Sequence, residues 1–149
     1  MVRLEHPSGH AHRDRRRQQR NALVERERLA SCMNSTKWAE VLPLTQWGLH
    51  MQARMIDNSL GEPQHGAHDG WESLGNADWI EWLEFYPIRT VQRGGLLNPE
   101  VVGDETDRLL AALRQINAPT SIEDGWIRVW GYLRPGSAPD WIIPKRAPD

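Results

Sequence analysis

Three sets of side chains in this 149-residue chain have types and spacings that could support chemistry. His65 and His68 stand in a Gly-rich stretch with Asp69 beside them, and a His-x-x-His pair plus a carboxylate can ligate zinc. Zinc sites usually add Cys pairs or a helical His-Glu-x-x-His, and neither occurs here. His10 and His12 bring no such partners either, so no metal or other cofactor is expected. Asp78, Glu81 and Glu84 cluster near aromatic rings, the setting of glycoside-cleaving carboxylates. On a regular strand, however, Glu81 and Glu84 point to opposite faces and do not converge. Solvated sheet edges, or ion pairs to Arg89 and Arg128, are the simpler reading. Cys32 is the single cysteine, which excludes an internal disulfide, and His50 lies far from it in sequence. No phosphate-binding loop or dinucleotide fingerprint is present, and Gly94-Gly95 reads as a turn.

Binding is better represented than catalysis. From Ser121 to Pro135 an Asp124-Gly125 turn separates two alternating segments, a β-hairpin pattern. A two-residue turn pairs Ile122 with Ile127 and Thr120 with Val129. These four, with Leu133, form the apolar face. Trp126, Arg128, Trp130 and Tyr132 then lie on the other side with Glu123. The chain has eight Trp against two Tyr and one Phe. Indoles are large and carry a donor, so several are expected to be half exposed. Cation–π contact between Arg128 and its flanking indoles would hold the rings flat, contributing about 0.5–1 kcal/mol if exposed. Trp126, Arg128, Trp130 and Tyr132, with Trp82 and Glu84, are the expected partner-binding residues.

The elements that must position them follow from periodicity. Asn34-Ser35-Thr36 caps a helix from about Lys37, with Trp38, Val41 and Leu42 on its core side, ending or kinking at Pro43. From Gly48 to Asn58 the period becomes two, with Leu49, Met51, Ala53 and Met55 on one face and His50, Gln52 and Arg54 on the other. Residues 58–70 read as a loop and 71–76 as a short helical turn. Trp79 to Tyr86 reads as a strand, with Trp79, Glu81, Leu83 and Phe85 on one side and Ile80, Trp82, Glu84 and Tyr86 on the other. Ile88–Gln92 and Leu96-Leu97 flank a hairpin turn at 93–95. The strongest helix pattern runs from about Glu105 to Ile116, with Asp104 as N-cap, a Leu109, Leu110, Leu113 and Ile116 stripe, and Asn117 and Pro119 as stops. The hairpin's apolar face is expected to cover that stripe.

Charge divides the chain. Residues 1–32 carry eight Arg and no Lys against four acids, a balance of +4; residues 33–149 carry ten basic against sixteen acidic side chains, a balance of −6. The arm has no continuous apolar stripe, so it is expected to be disordered or loosely helical. Arg13, Arg15, Arg16, Arg17 and Arg20 are its nucleic-acid-binding candidates. Acids interrupt the basic run and no aromatic interleaves it, which favours a solvated extension. No run approaches the roughly 18 apolar residues of a membrane span, and no signal-peptide pattern is present. A cytoplasmic location is expected, with no membrane partner.

Three stretches resemble an uncharacterised family of small bacterial proteins, a domain of unknown function: Met33-Asn-Ser-Thr-Lys-Trp38, Ile80-Glu-Trp-Leu-Glu84, and Ser121-Ile-Glu-Asp-Gly125 with Trp130-Gly-Tyr-Leu-Arg-Pro135. The resemblance covers about 33–136 and implies an α+β fold. It also implies members that start at the equivalent of Met33, leaving 1–32 as an extension, and it carries no activity or catalytic residues.

The expectation is an α+β protein with a mostly antiparallel sheet of four to six strands packed on one or two helices. A basic arm spans 1–32, one domain 33–136 and a Pro-rich tail 137–149. Its expected role is a non-enzymatic protein-binding module, an immunity or inhibitor protein that meets a toxin through its aromatic sheet face. A nucleic-acid binder using the arm is the first alternative, and a small hydrolase with carboxylates near the 58–70 loop is the second.

Overall fold

The computed structural model describes residues 9–58, 64–65, 77–91 and 100–145, with the backbone alone at 9–13, 58 and 64–65. Along the chain run α1 (Gly9–Arg26), β1 (Ala30–Ser31), α2 (Ser35–Val41), β2 (His50–Met55), β3 (Gln64–His65), β4 (Ile80–Tyr86) and β5 (Ile88–Val91). There follow β6 (Glu100–Asp104), α3 (Thr106–Ile116), β7 (Thr120–Glu123), β8 (Trp126–Trp130), β9 (Tyr132–Leu133) and β10 (Trp141–Ile143). Six strands form one sheet in the order β10-β7-β8-β4-β2-β3, every neighbouring pair antiparallel. β5 and β6 make a separate ribbon, and β1 pairs with β9. The architecture is the expected α+β.

Local chemistry explains the elements that sequence reasoning located. Asp124 and Gly125 take φ of 50° and 84°, as a two-residue type I′ turn demands. The β7–β8 ladder then pairs Ile122 with Ile127 and Thr120 with Val129, the register read from the sequence. At α2 the Asn34 side chain accepts from the Lys37 amide, a side-chain N-cap. At α3 the N-cap is Glu105, not the expected Asp104, which precedes it and whose carboxylate accepts from both the amide and hydroxyl of Thr106. Those bonds hold its pKa below the usual carboxylate value. Asn117, at φ 60°, closes α3 in the left-handed conformation, with the Ala118 amide donating to the Leu113 carbonyl.

The main core lies between the sheet and the two helices α2 and α3. Leu109 and Leu113 of α3 and Trp38 and Val41 of α2 meet Met51, Ala53, Leu83, Phe85, Ile127 and Val129 from the three central strands. A second apolar cluster joins Leu29, Ile56, Trp79 and Tyr132, with Leu23 and Val24 of α1 packed against it. Of the two states expected for the arm, the structure has the helical one over Gly9–Arg26.

Several expectations are corrected. Ile122 shares the face of Ile127 but is 44% exposed, because it sits at the turn end of the hairpin. Leu133 does not extend that face: it lies in β9, opposite Ala30. β5 pairs with β6 at Glu100–Asp104, and the expected Leu96-Leu97 segment and the 93–95 turn lie outside the described residues. Within the 137–149 tail, Trp141 of β10 pairs with Ser121 of β7.

The largest correction concerns β4. Arg54 of β2 faces Trp82, yet the next residue, Met55, faces Ile80, so β4 holds one residue too many at Glu81. This β-bulge puts Ile80 in the core with Leu83 and Phe85, breaking strict alternation. Gly131 holds the site from the other side. Its amide donates to the Glu81 carbonyl and its carbonyl accepts from the Cys32 amide. A Cβ there would stand 2.1 Å from the Ile80 carbonyl oxygen, so only glycine fits.

Candidate interaction surface

The sheet face turned away from the helices is built from β2, β4, β7 and β8. Cross-strand pairing places Gln52 opposite Glu84, Arg54 opposite Trp82, Trp82 opposite Trp130, Glu84 opposite Arg128, and Ser121 opposite Arg128. The antiparallel ladder brings these side chains together in one polar and aromatic layer. Arg128 is its centre. Its Nε donates to Glu84 Oε2 at 2.8 Å, and its guanidinium lies 4.1 Å from the Trp82 ring and 5.1 Å from the Trp130 ring. The Gln52 amide donates to the other Glu84 oxygen. Arg54 also approaches the Trp82 ring, at 5.5 Å. Trp130 Nε1 donates to Ser121 Oγ at 2.8 Å, and Ser121 Oγ donates to Glu123.

The structure brings four of the six expected partner-binding residues into one contact set but changes their exposure. Trp82, Glu84 and Trp130 are 5%, 2% and 7% exposed and form a floor. They are not an open face, because guanidinium groups lie over the rings and the carboxylate is enclosed by its donors. Arg128 is half-buried. The indoles it touches are Trp82 and Trp130; Trp126 instead packs on Tyr86, with ring centroids 5.3 Å apart and planes tilted by 46°. Both Trp126 and Tyr86 are half-buried. Tyr132 leaves the strip altogether. Beyond Gly131 it turns into the second apolar cluster, where its hydroxyl donates to the Asp78 carbonyl at 2.6 Å and burial raises its pKa.

The catalytic candidates are engaged in ion pairs. Glu84 is held by Arg128. Glu81, buried, accepts from Arg134 Nε at 2.7 Å, while Arg134 Nη2 reaches the Ile56 carbonyl. Asp78 pairs with Arg20 of α1. Arg89 pairs with Glu105 at 3.3 Å, not with Glu81 or Glu84. Burial pushes the Cys32 thiol up to about 11, against a thiolate nucleophile at neutral pH. Among the described residues no three His, Cys, Asp or Glu side chains gather as a metal site, and no helix is long and apolar enough to cross a membrane. The side chains of His10, His12, His65, His68 and Asp69, and the greater part of the 58–70 loop, lie outside those residues.

The arm's arginines are divided between two environments. Arg16 lies over the Trp79 ring at 4.7 Å and Arg20 pairs with Asp78, so both face the body of the protein. Arg15, Arg16 and Arg17 are all exposed, Arg20 is half-buried, and the side chain of Arg13 lies outside the described residues. Between α1 and the body is a cavity of about 650 Å³ lined in part by Arg16, Arg17, Arg20, Asn34 and Asp78.

Gln52, Arg54, Arg134 and Ser121 complete these arrangements and were not among the expected site residues. The period-two pattern of β2 did place Gln52 and Arg54 on the outer face. Arg134 has no comparable signal, because its partner Glu81 is set by the bulge.

Residues 20–136 match the model of a family of unknown function (DUF6678), and the chain belongs to that family. The match begins inside α1, not at Met33, so it takes in Leu23, Val24 and Leu29 of the second apolar cluster. No curated protein and no solved structure gives a significant match.

Proposed function

We propose that the protein is a non-enzymatic protein-binding module of the immunity or inhibitor type, which meets its partner through Trp126, Tyr86 and the outer edge of Arg128. The observation that carries this reading is the layering of the sheet face. Half-buried Trp126 and Arg128 stand beside a floor of Trp82, Glu84 and Trp130 that is already hydrogen-bonded and stacked. Trp, Tyr and Arg dominate interface hot spots, and a side chain fixed before association loses less entropy on binding. The acidic balance of residues 33–149 suits a basic partner such as a toxin. Glu81 and Glu84 are buried and paired with Arg134 and Arg128, which leaves neither open to a substrate and favours binding over the hydrolase reading.

The test is capture from the native host with the wild-type chain and Trp126→Ala. Trp126 holds none of the buried ion pairs, so the variant should melt like the wild type and lose the partner. A folded Trp126→Ala chain that retains the same partner at the same affinity would refute this surface.

A further inference from the structure

We propose that the cavity between α1 and the body binds a small phosphomonoester, a ligand site separate from the sheet face. Its volume of about 650 Å³ falls within the range of small-molecule sites. Arg16, Arg17 and Arg20 line it from α1, and their spacing of three and four residues keeps Arg20 on the same helix face as the other two. Asp78 is the one carboxylate among the described lining side chains, which together carry a formal charge of +2. A phosphate monoester carries about −1.5 to −2 near pH 7 and would balance it.

The three guanidinium groups have different tasks. Arg20 is held by Asp78 and Arg16 by the Trp79 ring, which fixes α1 as one wall of the cavity. Arg17 is exposed and lines the cavity without a role in docking the helix. A guanidinium fork matches two phosphate oxygens, whereas one lysine would supply only a point charge. Asn34, also in the lining, spends its carbonyl oxygen on the Lys37 amide, leaving the side-chain NH2 to donate. Val24 and the edge of Trp79 give the organic part of the ester apolar surface. A cavity with walls selects a compact ligand. An extended polyanion would instead use the exposed side of α1, where Arg15 lies.

The test is titration of the full chain with ribose 5-phosphate, followed by tryptophan emission and calorimetry at low salt. Ribose, inorganic phosphate and a single-stranded oligonucleotide serve as the other probes. Saturable binding of ribose 5-phosphate at about millimolar or tighter is expected, with ribose inert and inorganic phosphate weaker. Arg17→Ala should weaken it about tenfold with an unchanged melting curve, and Trp126→Ala should leave it unchanged. Absence of saturation up to about 10 mM, equal binding of inorganic phosphate, or full affinity in Arg17→Ala would overturn the site. An oligonucleotide that binds while ribose 5-phosphate shows no saturable binding would overturn it in favour of a nucleic-acid surface.

Discussion

Replacing Arg128 with Met removes the guanidinium while keeping most of the aliphatic stem that packs on the indoles. Glu84 is 2% exposed, and the variant leaves its carboxylate enclosed with only the Gln52 amide as a donor. Breaking a buried pair by deleting one partner costs about 3–5 kcal/mol. The Arg128 side chain is 19% exposed and Gln52 remains, so water and one hydrogen bond relieve part of that cost. The lower end, about 3 kcal/mol, is the expected loss. Glu84→Gln in the same background removes the unpaired carboxylate and should recover about 2 kcal/mol; that recovery plus the cost of Glu84→Gln alone is the coupling a double-mutant cycle reads. Urea unfolding is the assay. With a slope of about 2 kcal/mol/M, a loss of about 3 kcal/mol lowers the midpoint by about 1.5 M without changing the slope. A single variant within about 0.5 kcal/mol of wild type, or strictly additive effects, would refute the view that Arg128 is bound chiefly by Glu84.

Two further outcomes follow from the same geometry. Gly131→Ala forces a Cβ against the Ile80 carbonyl and should cost about 3 kcal/mol or more, read as a fall in melting temperature; an unchanged melt would show that the bulge relaxes easily. Cys32 should resist alkylation. Raising its thiol from 9.0 to about 11 cuts the thiolate fraction about 100-fold near neutral pH, so iodoacetamide should label the unfolded chain far faster than the folded one. The linked stability is complete below pH 9.0 and falls as pH rises towards about 11, because only the unfolded thiol ionises in that window. Equal labelling rates in the two states would contradict this.

The hairpin was legible because its information is local: Asp124 and Gly125 set the turn, and the turn sets every pair from Thr120–Val129 to Glu123–Trp126. The same holds for the Asn34 cap and the Leu109–Leu113 stripe. The bulge was not legible. It depends on Gly131, fifty residues downstream of Glu81, donating to that residue's carbonyl. Alternation told which side Trp82 and Trp130 occupy and set Arg128 against Trp130, but not that Arg128 and Arg54 reach the Trp82 ring from the neighbouring strands. The docking of α1 on the body was not legible for a related reason. A helix without an apolar stripe is held by two adjacent apolar residues and by Arg16 and Arg20, whose partners Trp79 and Asp78 lie far along the chain.

β10 has a consequence for how the molecule keeps to itself. It lies just past the family-matched segment, yet it occupies the outer position of the sheet beside β7. An uncovered β7 would offer free amides and carbonyls to any extended chain, with exposed Ile122 as an apolar foothold on the same strand. Trp141 and Ile143 pair with Ser121 and Thr120, covering the half of β7 away from the turn, and Pro139 and Pro144 bracket them with positions that cannot donate. The short strand shortens the edge that β7 would otherwise present, and is itself brief and proline-flanked, which makes it a poor template for a further strand.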